Sequence, residues 1–332
     1  ANSMGSANVN YPIEVPPGRN KLQPNFAVTY NSSGGNGWMG LGWDISLQAI
    51  SIDTRWGVPR YSAGEETETY TLEGQQLAPV AHRGELMPRT GEKVFHMRIE
   101  GQFKKIIRHG TLPSNYWWEV IDKNGTKYLY GGDSQTNGPA TDSTLTDDNG
   151  NIFKWALREI RDTNGNFIKY HCVRVQDSGL GNGTGGVSGS QLYLGIITYT
   201  GHGTTEGPYA VSFIRDRQVE GFNPDRDRRP DVTIDGRGGF KMVTADLLRR
   251  IEVTYGGTLV NDKVVGGASI RSYSIEYREG AFKKTLLKVV SQYGANGAFF
   301  NKHEFEYYDT VWNGAATYGG FDPSTTWNTQ DD

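Results

Sequence analysis

The sequence predicts an all-β fold: a long, twisted antiparallel meander that forms a curved, shell-like sheet or two packed sheets. Two observations carry this prediction. The 332 residues include 44 glycines and 13 prolines, a combined share above the roughly 12% of an average soluble protein, and both residues favour turns. No long run keeps the 3.5- or 3.6-residue apolar repeat of a coiled coil or a helical bundle.

Period-two alternation marks the individual strands. Apolar Ile168, Tyr170 and Cys172 alternate with polar Lys169 and His171. The same pattern recurs in residues 250–255, 272–277 and 304–307. Successive side chains of a strand point to opposite faces, so we expect antiparallel strands with one buried and one polar face.

Turn signals connect these strands into hairpins. Asn-Gly, the strongest short hairpin signal, occurs at Asn36-Gly37, Asn124-Gly125, Asn149-Gly150, Asn164-Gly165, Asn182-Gly183, Asn296-Gly297 and Asn313-Gly314. The predicted pairings join residues 118–121 to 128–130, residues 153–160 to 167–175, and the strand near Ile251 to the strand near Tyr273. The one helix candidate is residues 244–250.

Composition excludes several classes of function. A formal net charge of −3 lacks the overall positive charge of a nucleic-acid-binding protein. No apolar run approaches the roughly 20 residues that span a bilayer. The single cysteine, Cys172, cannot form an internal disulfide or a thiolate zinc site, and the six histidines are not spaced as metal ligands. We therefore expect no metal, no cofactor, no nucleic-acid partner and no membrane span.

Three motifs resemble ligand-binding loops but fit turns better. Residues 181–186 read G-x-G-x-x-G, yet a strand-like segment follows them, whereas a dinucleotide site needs a helix there. We expect a flexible glycine loop over residues 178–190. The segments that begin at Asp147 (DDNGN) and Asp162 (DTNGN) resemble half of a calcium loop, but the flanking helices of an EF-hand are missing. They are predicted to be turns.

Two charged segments also admit a functional interpretation. Glu66 and Glu68 are spaced like the paired glutamates of an ADP-ribosyltransferase, but no Ser-Thr-Ser strand precedes them. We expect both on one solvated face of an edge strand. Residues 215–231 hold five arginines and five acidic residues, so their charges cancel. This balance favours an ion-paired or solvated loop over a phosphate-binding surface. A docking surface for a partner remains an alternative.

The N-terminal stretch carries the most specific pattern. Its segments are residues 11–19 (YPIEVPPGR), 24–31 (PNFAVTYN), 37–43 (GWMGLGW), 50–55 (ISIDTR) and 57–61 (GVPRY). Later segments in the same order are residues 69–74 (TYTLEG), 155–170 (WALREIRDTNGNFIKY), 228–232 (RRPDV), 247–251 (LLRRI) and 271–277 (RSYSIEY). Together they resemble the N-terminal domain of the Salmonella virulence-plasmid B protein (SpvB) family, which also opens the B component of insecticidal toxin complexes. The resemblance covers about residues 5 to 312, and its central hairpin is also similar to Rhs/YD-repeat proteins.

The resemblance implies a structural function. In the toxin complexes this domain contributes to a hollow β-sheet shell that encloses a cytotoxic fragment, and in the virulence-plasmid protein a C-terminal ADP-ribosyltransferase modifies actin. No propeller, Rhs array or effector segment is visible in this chain, so enzymatic activity is not carried over. We expect a secreted, non-catalytic structural or delivery module that encapsulates or presents a toxin polypeptide. Its expected partners are other toxin-complex-like components or downstream domains of the same polypeptide.

The predicted domain spans residues 1–318, and residues 319–332 are predicted to be a tail or a linker to a further domain. Proline fixes an extended start, glycine permits tight turns and tryptophan anchors them. The residues predicted to be critical for the architecture are Pro17, Gly18, Arg19, Gly40, Gly42, Trp43, Asn164 and Gly165. No catalytic, cofactor-binding or metal-binding residue is predicted.

The alternative function is an extracellular carbohydrate- or surface-binding β module. Exposed rings on a β scaffold can stack on sugars, and Trp117-Trp118 and Tyr307-Tyr308 are the candidates. Adjacent strand residues face opposite ways, so only one ring of each pair can point outward. A hydrolase with a scattered catalytic site is a further alternative, which activity assays on a broad substrate panel address.

Overall fold

The computed structural model describes residues 5–80, 88–179 and 187–307, and its regular elements are almost all β-strands. The prediction of an all-β fold is confirmed. The strands form three parts: an opening segment, a closed ring of strands and an open sheet. Of the predicted glycine loop, Gly189 and Ser190 already belong to a strand. The following predictions fall partly or wholly outside the described residues: the G-x-G-x-x-G motif, the turns at 182–183 and 313–314, the domain end at 318 and the tail 319–332.

The opening segment precedes the ring and forms small antiparallel pairs. Its strands are β1 (Asn8–Pro12), β2 (Ala27–Asn31), β3 (Asn36–Gly37), β4 (Gly40–Leu41) and β5 (Trp43–Asp44). β2 lies between β1 and β5, and β3 pairs with β4. Between β1 and β2, Pro16, Pro17 and Pro24 keep the chain extended because proline fixes φ and offers no N–H group to a sheet.

Eight strands close into a ring. The elements of this part are β6 (Ala49–Ile52), β7 (Tyr70–Leu72), β8 (Gln75–Pro79), β9 (Lys93–Met97), β10 (Lys105–His109), β11 (Trp117–Ile121), β12 (Lys127–Tyr130), β13 (Thr144–Thr146) and β14 (Ile152–Arg161). Each strand from β6 to β12 pairs antiparallel with the next. Within β14, Ile160 lies opposite Tyr128 of β12 and Trp155 lies opposite Ile50 of β6. β14 therefore closes the ring, and the short β13 pairs with its first half.

The chain leaves the ring through β14 and continues as an open antiparallel sheet. Its elements are β15 (Asn166–Asp177), β16 (Gly189–His202), β17 (Tyr209–Arg215), β18 (Thr233–Asp235), β19 (Met242–Thr244), β20 (Leu248–Tyr255), β21 (Thr258–Val260), β22 (Lys263–Val265), β23 (Ala268–Glu279), β24 (Thr285–Tyr293) and β25 (Phe299–Glu304). The sheet order after β14 is β15, β16, β17, β20, β23, β24 and β25. The hairpins β18–β19 and β21–β22 lie beside this order.

The predicted pairings are confirmed, and the one helix candidate forms no helix. Ile251 lies directly opposite Tyr273, and both shorter hairpins form as predicted. Residues 244–250 contain the end of β19 and the start of β20, because Leu248 is buried and pairs with β17. Pairing in the sheet overrides the local helix propensity of this segment. The one α-helix among the described residues is the short α1 (Pro224–Asp227), and no helix in the described ranges has the length and apolarity needed to cross a bilayer.

Aromatic rings form the centre of the ring's core. Tyr70, Phe95, Trp118 and Trp155 are each at most 3% exposed. The centroids of Tyr70 and Trp118 lie 4.7 Å apart in an edge-to-face arrangement. Trp155 Nε1 donates to the carbonyl oxygen of Tyr116 at 2.6 Å, which satisfies its buried polar atom. Burying a ring of this size contributes about 4 kcal/mol to stability.

Candidate functional site

The opening segment lies across the open sheet. The hydroxyl of Tyr199, on β16, donates to the carbonyl oxygen of Pro16 at 3.0 Å. The hydroxyl of Tyr273, on β23, accepts the backbone N–H of Glu14 at 3.1 Å. These partners are 183 and 259 residues apart in sequence, so no local pattern could pair them. Two tyrosines of the sheet thus hold the proline-rich start of the chain.

The first predicted motif is a tight turn at Gly18. A Cβ atom at Gly18 would collide with the carbonyl oxygen of Leu22, so only glycine fits without backbone movement. The Gly18 N–H also donates to Gln23 Oε1 at 3.0 Å. Pro17 and Arg19 are exposed. The structure therefore gives Gly18 a steric reason for its identity and places its two neighbours at the surface.

The second predicted motif brings Gly40, Gly42 and Trp43 against the sheet. Gly40 and Gly42 have φ angles of +84° and +78°, a region that favours glycine. A Cβ atom at Gly40 would also lie 2.5 Å from the carbonyl oxygen of Thr285. Trp43 is 2% exposed, and its Nε1 donates to the hydroxyl of Tyr307 at 2.7 Å. This turn therefore connects the start of the chain to β24 and to a residue that follows β25.

Charged and polar side chains fasten the same turn; we call Asn36, Arg229, Asp231 and Thr285 the clamp. Asp231 Oδ1 accepts from the Thr285 hydroxyl at 2.6 Å, and Asp231 Oδ2 accepts from the Thr285 N–H at 2.7 Å. Asn36 Nδ2 donates to Asp231 Oδ2 at 3.0 Å. Arg229 Nε donates to Asp231 Oδ1 at 2.9 Å, and Arg229 Nη1 donates to the carbonyl oxygen of Gly37 at 2.5 Å.

The clamp contains a buried charge pair, Arg229 and Asp231. The side chains of Arg229 and Asp231 are 0% and 4% exposed. Burial alone would raise the pKa of Asp231, but the hydrogen bonds from Arg229 and Thr285 outweigh it and hold that pKa below its usual range. Removing one partner of such a pair would leave an uncompensated buried charge. The clamp thus ties together the opening turn, the charged loop before β18, and β24.

The third predicted motif, Asn164-Gly165, closes the hairpin between β14 and β15. Asp162 Oδ1 accepts the backbone N–H groups of Asn164 at 2.9 Å and Asn166 at 2.8 Å. Gly165 has a φ of +81°. The Asp147 turn has the same arrangement, so both predicted turns are confirmed. Within the described residues, no group of three or more His, Cys, Asp or Glu side chains is placed to hold a metal ion.

The expectation of solvated glutamates at Glu66 and Glu68 is wrong. Neither residue lies in a strand, and their side chains are only 3% and 1% exposed. Glu66 forms ion pairs with Lys93 and Arg108, and Glu68 pairs with Arg89 at 2.8 Å. These cations lie 21 to 42 residues further along the chain, which is why the local pattern misses them. Each carboxylate already binds a cation of the same chain, so the cluster holds the segment between β6 and β7 in place.

The charged loop before β18 is ion-paired, as predicted. Arg215 and Arg217 both bind the buried Asp246, and Arg215 Nη1 lies 2.5 Å from its Oδ2. Arg228 pairs with Asp177 at the end of β15. The arginines of this loop therefore bind carboxylates of the same chain, so they are not arranged as a track for an external anion.

The rings proposed as a sugar platform are used internally. Trp118 is fully buried, and Trp117 stacks on His109 with centroids 4.1 Å apart. The hydroxyl of Tyr307 donates to a backbone carbonyl at 2.7 Å while accepting from tryptophan. Tyr308 lies outside the described residues. This arrangement gives no support to a glycan contact.

The family of the chain follows from comparison with known proteins. A family model described as SpvB, Salmonella virulence plasmid 65kDa B protein, matches residues 1–216. Mono(ADP-ribosyl)transferase SpvB of Salmonella choleraesuis (strain SC-B67) and of Salmonella typhimurium are each 36% identical to the chain over 62 residues, which is 19% of this chain and 10% of the relative. The matched part is thus a tenth of the length of those curated relatives.

Solved structures match nearly all of the chain. The N-terminal domain of effector protein SpvB from Salmonella typhimurium strain LT2 matches with a TM-score of 0.66 and 18% identity, over 90% of this chain and 99% of that chain. The TcdB2-TccC3-TEV crystal structure matches with a TM-score of 0.69 and 19% identity, over 89% and 15%. The Photorhabdus luminescens Tc holotoxin pore matches with 0.66 and 20%, over 89% and 15%. These identities show a shared fold, and together with the family match they establish that the chain belongs to the Salmonella virulence plasmid B protein (SpvB) family.

Proposed function

We propose that this chain is a non-catalytic wall module of a secreted, toxin-complex-like protein, which contributes to a β-sheet shell around a toxin polypeptide or presents that polypeptide. The observation that carries the proposal is the shared fold with the Tc structures over 89% of this chain. The matched region is only 15% of each of those chains. A module of this kind therefore has downstream domains of the same polypeptide, or other toxin-complex-like components, as its partners.

The outer edge of the open sheet supports this proposal. Within the described residues, the strand register gives β25 one neighbour, β24. Phe299 and Phe300 are 60% and 70% exposed, and they lie at a register shift in the pairing of β25 with β24. An edge strand with large exposed apolar groups is an aggregation hazard unless another element covers it. In the proposed shell, the part of the polypeptide that follows the domain covers this edge.

The internal pairing of buried charges also supports a structural role. Lys93, Arg229 and Arg215 each bind a carboxylate of the same chain. Satisfied buried networks rigidify and specify one arrangement of the core. A shell wall needs such a fixed shape, and the proposed domain from residue 1 to 318 supplies it as one unit.

The test compares the chain alone with the chain fused to its natural downstream sequence. Limited proteolysis of the fusion is expected to leave the downstream segment intact, whereas the same segment expressed separately is digested. Complete digestion of the downstream segment in the fusion, with no co-purifying partner, contradicts the proposal.

A pair of variants addresses the edge itself. Phe300→Asp in the fusion is expected to expose the downstream segment to protease, because a charge on β25 disfavours packing of that segment against the edge. Phe103→Asp is the matched control, since Phe103 is 65% exposed but lies between β9 and β10, in the ring. Equal digestion of the two variants would argue against β25 as the junction.

A further inference from the structure

A cavity of about 220 Å³ lies where the opening segment, the ring and the open sheet meet. Its walls include Trp38 and Ile45 of the opening segment, Lys154 of β14, and Tyr193 and Leu194 of β16. The lining mixes apolar side chains with the polar Asp44, Gln191 and Thr244, and Lys154 is its one cationic side chain. The cavity is separate from the clamp and from the exposed edge of β25.

Lys154 lines the cavity from a fixed position in β14. The strand register places it opposite Leu145 of β13 and Ser51 of β6. The residue is partly buried. Within the described ranges, its Nζ has no hydrogen-bond or ion-pair partner, whereas Lys93 and Lys169 bind carboxylates.

The site favours the uncharged amine of Lys154 over the ammonium more strongly than water does. Burial lowers the pKa of the Lys154 ammonium, and the nearby carboxylates of Asp44 and Asp235 offset part of that shift. Asp235 is itself paired with Arg237. A desolvated lysine with a lowered pKa is a nucleophile for carbonyl carbon atoms.

Asp44 supplies a carboxyl group in the same cavity. Its Oδ1 accepts from Trp38 Nε1 at 3.1 Å, which orients the group. Asp44 attracts Lys154 electrostatically, but the two side chains do not form a direct ion pair. A small molecule bound to Lys154 would therefore have a proton acceptor and donor nearby.

We propose that Lys154 is a covalent binding site for a small aldehyde or ketone with a short apolar chain. The lone pair of Nζ adds to the carbonyl carbon, and Asp44 carries a proton from the nitrogen to the oxygen. The resulting carbinolamine loses its hydroxyl group as water, and a C=N bond remains. The lysine amine and the carbonyl compound thus give an imine and one water molecule, with no oxidant or reductant. Trp38 and Leu194 hold the apolar chain.

The test uses the full chain with butanal and cyanoborohydride at about pH 7, where exposed lysines are almost fully protonated. Cyanoborohydride supplies hydride to the imine carbon and leaves a butyl group on the nitrogen, which peptide mass spectrometry locates. We expect Lys154 to be butylated at lower aldehyde concentration than the exposed Lys105 and Lys263. Lys154→Arg is expected to lose this modification and to leave the other lysines unchanged. Labelling of Lys154 no earlier than Lys105 and Lys263 overturns the proposal.

Asp44→Asn tests the role of the carboxyl group. As a proton carrier Asp44 speeds imine formation, so the variant is expected to label Lys154 more slowly and with a weaker pH dependence. If Asp44 acted only through its charge, its removal would lower the pKa of Lys154 further and labelling would become faster, which would overturn the assigned role. Asp225→Asn, in the exposed loop, is the control, and unchanged unfolding midpoints show that all variants fold.

Discussion

Thr285 donates both its backbone N–H and its hydroxyl group to the carboxylate of Asp231, which lies 54 residues earlier in the chain. The two contacts, at 2.7 and 2.6 Å, occupy both carboxylate oxygens. Arg229 neutralises the same carboxylate at 2.9 Å. Asp231 therefore connects β24 to the charged loop with a strength that depends on its negative charge.

Asp231→Asn is expected to destabilise the protein by about 3 kcal/mol, because Arg229 would keep a buried positive charge without its partner. Urea unfolding followed by tryptophan fluorescence measures the loss. Asp235→Asn is the matched control, since Asp235 pairs with the largely exposed Arg237 and exposed pairs contribute little. Equal effects of the two substitutions would show that the clamp does not stabilise the fold.

Gly40→Ala and Gly74→Ala separate two reasons for glycine. Both positions have positive φ angles, +84° and +77°, but a Cβ atom at Gly74 meets nothing within 4 Å. Gly74→Ala is expected to cost about 1 kcal/mol through backbone strain alone. Gly40→Ala is expected to cost at least about 1 kcal/mol more, because its Cβ atom would lie 2.5 Å from the Thr285 carbonyl oxygen. Equilibrium unfolding measures the loss of stability in both variants, and equal losses would contradict a steric role for Gly40.

Asp216 gives the stability of the protein a pH dependence. Burial raises the pKa of Asp216 from 3.8 to about 6, and the neighbouring Asp246 adds to the shift. The folded state therefore binds this proton more tightly than the unfolded state. The stability that the proton provides is fully present below about pH 4 and is lost as the pH rises through about 6.

Asp216→Asn is expected to change stability little at or below pH 4 and to raise it by about 3 kcal/mol above pH 7. Unfolding free energies of the wild type and the variant across this pH range measure the difference. Asp225→Asn, at an exposed position in the same loop, is expected to show no such divergence. A constant difference between wild type and Asp216→Asn at all pH values would refute the assignment.

Cys172 is expected to be inert in the native protein. Its side chain is 2% exposed, and burial raises the pKa of the thiol to about 12, so very little thiolate forms near neutral pH. A chromogenic disulfide reagent is expected to react with the thiol only after urea unfolds the chain. Rapid reaction of the folded protein would show that β15 opens locally.

Local signals predicted the strands and turns well. The alternation around Ile251 and Tyr273 and the turn at Asn164-Gly165 depend on neighbours within a few residues, and the structure has them as predicted. The Gly40 turn was also visible in the sequence. Its cause was not, because the close approach of Thr285 joins residues far apart in the chain.

Long-range charge pairing was beyond local patterns. Glu66 alternates with Glu68 as a solvated strand would, yet Arg108, 42 residues later, draws it into the core. The helix candidate at residues 244–250 is not a helix for the same kind of reason, since Leu248 pairs with Arg215 of β17. Closure of the ring by β14 likewise depends on β6 and β12 together, which no single segment encodes.

The position of β14 has a mechanical consequence. Its ten residues belong to the ring. Its last three residues also pair with β15, the first strand of the open sheet. A force that pulls on the sheet is therefore transmitted into the ring through one continuous strand, with no linker between them to yield first. The ring and the open sheet are expected to unfold in a single cooperative transition. They therefore behave as one rigid unit, without a hinge between them.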